Sequence, residues 1–302
     1  MPIVIMALIG YFIKEKGFVS PATFSQMNKL GFKLFLPCLL FHNIYNSESN
    51  IGDNIKLMVY GLSCVVILFI LLTLFVPFFV KDPRRQSVVI QGIFRGNYII
   101  LGVPIATVIC GENNIAAIAL CSGLVVPLFN FLAVVTLSTH SGQKASYGQV
   151  ILNILKNPLI LACLLAFVMR FISVPIPTFV LSTVRDLARV ATPLSLVTLG
   201  GGLSVETTIR NRKALVGVCF MRLLVAPALF VPPAYFWLGF EGPMLVAILM
   251  IFAAPTAVSS YVMAQQMGGD DELAAEIVMV TSVASCISMF FWIFTLSYIG
   301  LI

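Results

Sequence analysis

Apolar residues fill ten stretches of this chain, and short polar connections separate them. A helix needs about 20 mostly apolar residues to cross the hydrocarbon core of a bilayer, and most of the stretches reach that length. They lie at about 1–13, 26–46, 56–79, 87–110, 114–137, 149–171, 177–204, 213–238, 243–266 and 272–300. The pattern predicts an all-α membrane protein with ten transmembrane helices.

Proline interrupts the fourth and ninth stretches near their middle, at Pro104 and Pro255. Proline lacks a backbone donor and clashes with the preceding turn, so it breaks or kinks a helix. Freed backbone groups are tolerated at membrane depth only where they line a cavity or are buried in protein. A matched pair of broken helices, one in each half, is the best sequence pointer to the substrate site of a transporter. We therefore expect helices 4 and 9 to break at these prolines and to cross there.

The two halves of the chain repeat each other weakly. A shift of 156 residues superposes four pairs of prolines, and a shift of 151 superposes the two at the expected breaks. The pairs are Pro2/Pro158, Pro21/Pro177, Pro37/Pro193, Pro77/Pro233 and Pro104/Pro255. Because each repeat has five spans, the second copy enters the membrane from the opposite side. This predicts inverted repeats at 1–148 and 149–302, a frame typical of alternating-access carriers. Kinks in unrelated helices are the alternative.

Composition and charge agree with a membrane protein. The chain is 60% hydrophobic and 10% charged, whereas soluble domains average about 25% charged residues. The net charge of +6 is spread singly over short loops, which argues against a nucleic-acid partner. Twelve basic residues follow odd-numbered spans and four follow even-numbered spans. The positive-inside rule then puts the odd loops in the cytoplasm and both termini outside the cell membrane.

Motifs of enzymes and metal sites are not found. The seven cysteines are scattered through apolar runs without a CxxC pair, which favours small buried side chains over ligands. No GxSxG, HExxH or Walker A pattern occurs. We expect neither catalysis nor a cofactor nor a metal.

Polar residues near the expected breaks are the candidate substrate ligands. Asn97 precedes Pro104 by seven residues, and its amide could satisfy freed backbone groups or bind a substrate carboxylate. Thr256 follows Pro255 directly. Asn130, in the fifth span, either faces the substrate or holds the crossing together.

Charged residues inside the spans are the next candidates. Arg95 and Arg222 each follow a basic cluster by about ten residues, which places them roughly 15 Å deep. Such charges suggest function, but long side chains also reach the interface. Both roles stay open for Arg95, and the interface is favoured for Arg222.

Two further residues are candidates for ion coupling. Glu276 is either a first-turn helix acid or a proton-coupling group, and it follows Glu272 by one turn. His42 is either a pH-sensitive group or half of a satisfied polar pair with Asn43.

The chain resembles the auxin efflux carrier family, which includes bacterial malonate- and malate-type permeases and the plant auxin carriers of the PIN type. The similar segments are Gly96–Pro104, with the family's Asn…Gly-x-Pro pattern, the Lys-Asn-Pro-Leu run at 156–159, the Ala-Pro-Thr-Ala-Val run at 254–258, and the Gly-Gly-Asp run at 268–270. The similarity covers nearly the whole chain. In contrast to the plant members, the chain has only about eleven residues at 138–148 where they carry a long central loop.

The resemblance implies a scaffold from spans 1, 2, 6 and 7, and a transport domain from spans 3–5 and 8–10 that contains the crossed helices. It also implies small organic anions as substrates and frequent homodimers. By position, Asn97, Pro104, Asn130 and Pro255 would frame the substrate site. A sodium-coupled symporter of the bile-acid type, which shares this architecture with sodium–proton antiporters, is the first rival, and coupling to protons or sodium stays open. A membrane sensor that does not transport is the second.

Overall fold

The computed structural model describes residues 2–46, 55–111, 116–140, 147–172 and 175–302, and within them all regular structure is helical. The α-helices of the first half are α1 (Pro2–Glu15), α2 (Pro21–Leu30), α3 (Leu36–Tyr45), α4 (Ile55–Phe79), α5 (Pro83–Phe94), α6 (Val103–Cys110) and α7 (Ala116–Thr139). Those of the second half are α8 (Tyr147–Leu155), α9 (Pro158–Phe171), α10 (Thr178–Gly202), α11 (Val205–Arg210), α12 (Arg212–Phe220), α13 (Ala226–Leu238), α14 (Gly242–Ala253), α15 (Ser259–Met267) and α16 (Asp271–Tyr298).

Four helical segments in these ranges are long and apolar enough to cross a membrane: Ile55–Phe79, Cys121–Thr139, Arg212–Leu238 and Asp271–Tyr298. Tyr98–Cys110, Pro158–Phe171 and Gly242–Ala253 are shorter apolar helices. The predicted class, an all-α membrane protein with several membrane-crossing helices, is confirmed.

A π-helical turn precedes a proline at three places. The turns are Gly31–Phe35, Tyr98–Gly102 and Met221–Val225, and each ends two residues before a proline, namely Pro37, Pro104 or Pro227. A proline ring collides with the carbonyl of the residue four positions earlier. A π turn carries one extra residue and shifts that carbonyl, so the helix continues through the proline.

The predicted break at Pro104 is therefore wrong. Pro104 lies in the first turn of α6, and the fourth stretch breaks ten residues earlier, where α5 ends at Phe94. The break covers residues 95–97, in front of the π turn. The predicted break at Pro255 is confirmed, because α14 ends at Ala253 and α15 begins at Ser259.

Hydrogen bonds between connections group the helix ends into two sets. Connections that follow odd-numbered stretches meet at one end, through Lys14 Nζ to Leu203 O (2.9 Å), Arg84 Nε to Gly268 O (3.0 Å) and Arg85 Nη2 to Asn211 Oδ1 (2.7 Å). Connections that follow even-numbered stretches meet elsewhere, through Arg170 Nη1 to Ile44 O (3.1 Å) and Gly242 N to Leu301 O (2.9 Å).

Helices α1, α3, α9 and α10 form one packed group. The closest approach is between α1 and α10, where a Cβ atom added to Gly200 would overlap the carbonyl of Ala7. The lack of a side chain at Gly200 therefore allows the two helix backbones to touch. The remaining long helices pack mainly around α5, α14 and α16, where the broken helices lie.

Candidate functional site: the crossing of the two broken helices

The two breaks contact each other through their backbones. Asn97 N donates to Pro255 O (2.7 Å), and Ala257 N donates to Arg95 O (3.2 Å). Gly96 and Thr256 lie opposite each other in this short antiparallel bridge. Backbone groups that the breaks release from helices are thus paired across the crossing, as a buried site requires. The expected meeting of helices 4 and 9 is present, with Asn97 rather than Pro104 beside Pro255.

Arg222 donates hydrogen bonds to the ends of both helices that lead into the crossing. Its Nε donates to Ala254 O (2.8 Å), its Nη1 to Ile93 O (3.0 Å) and Phe94 O (3.1 Å), and its Nη2 to Ile251 O (2.8 Å). These carbonyls belong to the last turns of α5 and α14 and to the break that follows α14. The C-terminal end of each helix carries about half a negative charge, so the two ends together balance the guanidinium.

The expectation that Arg222 reaches the membrane interface is wrong, because its side chain is fully buried. The residue opposite its guanidinium is Gly96. A Cβ atom added at Gly96 would overlap Nη2 of Arg222 and would lie 3.0 Å from Ile251 O. The first break therefore requires glycine because an arginine from another helix passes through the space of the side chain.

Arg95 lies at the same crossing but in different surroundings. Its Nη2 donates to Asn130 Oδ1 (2.6 Å) and Ser259 Oγ (2.7 Å), and its Nη1 to Met263 Sδ (2.8 Å). The side chain is buried, so Arg95 does not reach the interface either. No carboxylate in the described part of the chain forms an ion pair with it. Arg95 is a buried cation whose described partners are all neutral.

A cavity of about 90 Å³ adjoins Arg95. Polar side chains that line it are Asn43, Arg95, Asn97, Asn130, Thr192 and Ser259. The side-chain nitrogens of Asn43 and Asn97 are buried and have no hydrogen-bond partner in the structure. A buried donor without a partner costs about 1–3 kcal/mol. One cation and two unused donors around a single cavity suit a ligand that has only acceptor atoms, such as a carboxylate.

Three of the six predicted substrate ligands line this cavity, and the other three do not. Arg95, Asn97 and Asn130 line it. Asn130 also holds Arg95, and its own Nδ2 donates to Val126 O (2.8 Å). Pro255 is buried in the crossing, whereas Pro104 is exposed on α6.

Thr256 faces away from the cavity, toward the neighbouring helices. Its hydroxyl donates to Gly92 O (2.6 Å), and its backbone N donates to Thr281 Oγ1 (3.2 Å). Thr256 thus connects α5 and α16 to the second break.

The two residues predicted for ion coupling lie outside the cavity. Glu276 is buried in α16, where its Oε2 accepts from Asn211 Nδ2 (2.8 Å) and its Oε1 has no partner in the part of the chain that the structure describes. It precedes Thr281 by five residues, or about 7.5 Å of helix. His42 is half-buried on α3. Its neighbour Asn43 has an unused donor, so the alternative of a satisfied His42–Asn43 pair is wrong.

Sequence reasoning missed Asn43 and Ser259 as lining residues. In the sequence, nothing distinguishes Asn43 except its place beside His42. Ser259, the first residue of α15, lies four positions after Pro255. A polar residue immediately beyond a break was the available signal, because the first turn of the second half-helix must face the crossing.

Comparisons with known proteins identify the family of this chain. The sequence model of the family described as membrane transport protein matches residues 1–293. An uncharacterized transporter of Methanocaldococcus jannaschii is 23% identical over 300 residues, which cover 96% of this chain and 95% of the relative. An uncharacterized transporter of Methanothermobacter thermautotrophicus is 23% identical over 297 residues, which cover 97% and 95%. The chain therefore belongs to the auxin efflux carrier family of membrane transport proteins.

Proposed function

We propose that this protein is a secondary carrier that binds a small organic carboxylate in the cavity beside Arg95 and moves it by alternating access. The observation that carries the proposal is a set of three groups beside one cavity: a guanidinium without an anionic partner and two side-chain amide donors without acceptors in the described residues. Among the described residues, Arg95 has no anionic partner, and the amide nitrogens of Asn43 and Asn97 have no hydrogen-bond partner. A carboxylate can accept from all three groups at once.

Charge balance around the crossing also favours an anion. At Arg222, two helix C-termini of about half a negative charge each balance the guanidinium. At Arg95 the nearby helix ends are N-termini, since α15 begins at Ser259 and the turn after the first break begins at Tyr98. Each N-terminus adds about half a positive charge. The Arg95 side therefore carries an excess of about two positive charges, which a carboxylate would reduce.

Cavity size restricts the ligand. Ligand pockets usually measure about 300–1,000 Å³, whereas this cavity measures about 90 Å³. In this conformation it suits a ligand of a few heavy atoms, or one carboxylate group of a larger ligand whose remainder enters when the site opens. Short mono- and dicarboxylates are therefore the first substrates to test.

Alternating access in our proposal uses two inverted five-span repeats, 1–148 and 149–302. Helices α5 and α14, which lead into the breaks, are both 12 residues long. Gly96 and Thr256, which lie opposite each other in the bridge, are 160 positions apart. Arg95 and Pro255 are separated by the same number, as are Asn97 and Ala257. The two backbone bonds of the crossing are therefore equivalent, because in each the residue after the central pair donates to the residue before it in the other half. The packed group of α1, α3, α9 and α10 supports a scaffold from spans 1, 2, 6 and 7.

Proton coupling through Glu276 is our preferred driving mechanism, because one oxygen of this buried carboxylate has no partner. His42 is the second protonatable candidate. One observation favours the rival, a sodium-coupled symporter: Gln91 Oε1 and Ser260 Oγ are also buried without partners, and Gln91 Nε2 donates to Ser260 O (3.2 Å). Uptake into proteoliposomes driven separately by a pH gradient and by a sodium gradient distinguishes the two. A pH-driven uptake that Glu276→Gln abolishes supports the proton mechanism, and a strict sodium requirement refutes it.

Carboxylate binding is tested on detergent-purified protein by titration with short mono- and dicarboxylates. A charge-assisted hydrogen bond contributes about 1.5–3 kcal/mol, so Arg95→Gln should weaken binding about ten- to hundred-fold. Arg189→Gln is the matched control, because Arg189 lies exposed on α10 and pairs with Asp186 (3.6 Å). Unchanged affinity in a folded Arg95→Gln protein would contradict the proposal.

A further inference from the structure

A groove of about 730 Å³ lies between α4, α5 and α12, away from the crossing cavity. One end of the groove carries charged side chains, and the rest of its wall is mainly apolar. The charged residues are Lys81, Asp82, Arg85, Arg210 and Lys213. The apolar wall includes Leu72, Phe75, Val76, Phe79, Val218 and Met221. The groove therefore has the amphipathic character of a phospholipid, with a polar end and an apolar body.

Two of the four cations at the polar end already have carboxylate partners. Arg85 Nε lies 3.8 Å from Asp270 Oδ2, and Arg210 Nη2 lies 3.5 Å from Glu272 Oε2. These pairs fix the two guanidinium groups at the rim. A surface ion pair contributes little to stability, so both arginines remain able to bind a further anion.

The other two cations, Lys81 and Lys213, form no ion pair within the described residues. Lys81 follows α4, and its Nζ is 3.4 Å from Pro77 O. Lys213 lies at the start of α12, across the groove. The one acid on the lining, Asp82, accepts a hydrogen bond from Arg84 N (2.9 Å) and caps α5. Four cations against one acid leave a net charge of +3 on the lining.

The apolar part of the groove is open to the surroundings. Phe79 is 85% exposed and Phe75 is 56% exposed. A Cβ atom added at Gly217, on the opposite wall, would meet no atom within 4 Å. From Leu72 to Phe79 the wall extends about 10 Å along α4, which is enough to hold part of an acyl chain.

We infer that this groove binds one anionic phospholipid, with its phosphate between Lys81 and Lys213 and an acyl chain along Phe75, Phe79 and Met221. The inference does not depend on the substrate proposed for the crossing. Basic residues next to a membrane attract anionic lipids by about 1 kcal/mol each, and the apolar wall adds the burial of an acyl chain. A zwitterionic lipid gains the second contribution but less of the first.

Titration of detergent-purified protein with phosphatidylglycerol and with phosphatidylcholine tests the site, with native mass spectrometry to count bound lipids. We expect one tightly bound phosphatidylglycerol and weaker phosphatidylcholine binding. The double variant Lys81→Gln/Lys213→Gln should weaken phosphatidylglycerol binding roughly thirty-fold. Lys56→Gln is the matched control, because Lys56 is an exposed lysine at the opposite end of α4. Equal affinity for both lipids, or no change in the double variant, would overturn the inference.

A second variant tests the groove independently of charge. Gly217→Leu places a side chain in open space inside the groove, so it should reduce lipid binding and leave the fold intact. Gly148→Leu is its control, because a Cβ atom at Gly148 on α8 also meets nothing within 4 Å. Soluble glycerol 3-phosphate should not compete at concentrations near those of the lipid. If it competes as well as the lipid does, the site is a soluble-phosphate site and the lipid assignment is wrong.

Discussion

Replacement by methionine should affect stability at one of the two buried arginines of the crossing and ligand binding at the other. Arg222→Met should greatly lower the stability of the ligand-free protein, whereas Arg95→Met should change it little and abolish carboxylate binding. Methionine is apolar and flexible enough to occupy much of the space of either side chain. The contrast depends on what each guanidinium contacts.

The magnitude for Arg222 follows from its four hydrogen bonds to carbonyls, between 2.8 and 3.1 Å. These carbonyls lie where helices end, so their usual helical partners are missing. Leaving one buried carbonyl without a donor costs about 1–3 kcal/mol. Removal of one member of a compensated buried charge arrangement costs about 3–5 kcal/mol. We therefore expect Arg222→Met to lower the free energy of unfolding by about 4 kcal/mol.

For Arg95 two effects oppose each other. Its removal leaves Asn130 Oδ1 without its donor, whereas the hydroxyl of Ser259 can rotate to another acceptor. The same change removes a buried charge that has no anionic partner in the described residues, and burying a charge is expensive. The two effects nearly cancel, so the ligand-free stability should change by about 1 kcal/mol or less.

The assay is thermal unfolding of both purified variants, with and without a saturating carboxylate. A difference of about 3 kcal/mol corresponds to roughly 5–10 °C in Tm for a domain of this size. Arg222→Lys should recover part of the loss, because lysine keeps the charge but lacks the planar fork and has three donors for four carbonyls. If Arg95→Met destabilises the ligand-free protein as much as Arg222→Met, the reasoning that assigns one arginine to structure and the other to substrate is refuted.

Three further outcomes are expected. Asn97→Leu should abolish uptake with no loss of thermal stability, since it removes a buried donor that has no partner; a drop in ligand-free Tm would show that the amide is structural. Gly96→Ala should lower Tm strongly because its Cβ overlaps the Arg222 guanidinium, whereas Gly148→Ala should be neutral, and equal Tm values would contradict the packing. A C-terminal alkaline phosphatase fusion should be active in bacteria and a C-terminal green fluorescent protein fusion dark, because the charge distribution predicts external termini; the reverse pattern would invert the orientation.

The position of the first break could not be read from proline alone. Pro255 marks the second break correctly, since it lies between the end of α14 at Ala253 and the start of α15 at Ser259. Pro104 follows the π turn Tyr98–Gly102, so the chain accommodates it as a helix residue. The same device precedes Pro37 and Pro227. Helices α4, α7 and α10 contain Pro77, Pro127 and Pro193 without such a turn. A proline in the sequence therefore does not by itself fix where a helix ends.

The different environments of the two arginines could not be predicted from the sequence either. Arg95 and Arg222 follow basic clusters at nearly the same distance, so charge spacing treats them alike. Their difference depends on partners far along the chain, since Arg222 binds carbonyls 29–129 residues away. The family, the helical class and the meeting of the two interrupted stretches near Pro255 were accessible from local motifs. The unpaired side-chain donor of Asn43 could not be predicted in this way, because it depends on how α3 packs against the crossing.

Asn43 connects the candidate site to the proposed transport cycle. Arg95 and Asn97 belong to the first break, and Ser259 directly follows the second, so these groups are held together by the backbone bonds of the crossing. Asn43 instead lies on α3, which packs on α9 and α10. When the crossing moves against that scaffold group in the proposed cycle, Arg95 and Asn97 move with a bound carboxylate and Asn43 does not. A ligand that bridges them favours the conformation in which the cavity is closed, because a ligand shifts a conformational equilibrium only by its difference in affinity between the states. The small volume of the cavity agrees with such a closed state, in which the carboxylate contacts the moving crossing and the fixed scaffold group at once.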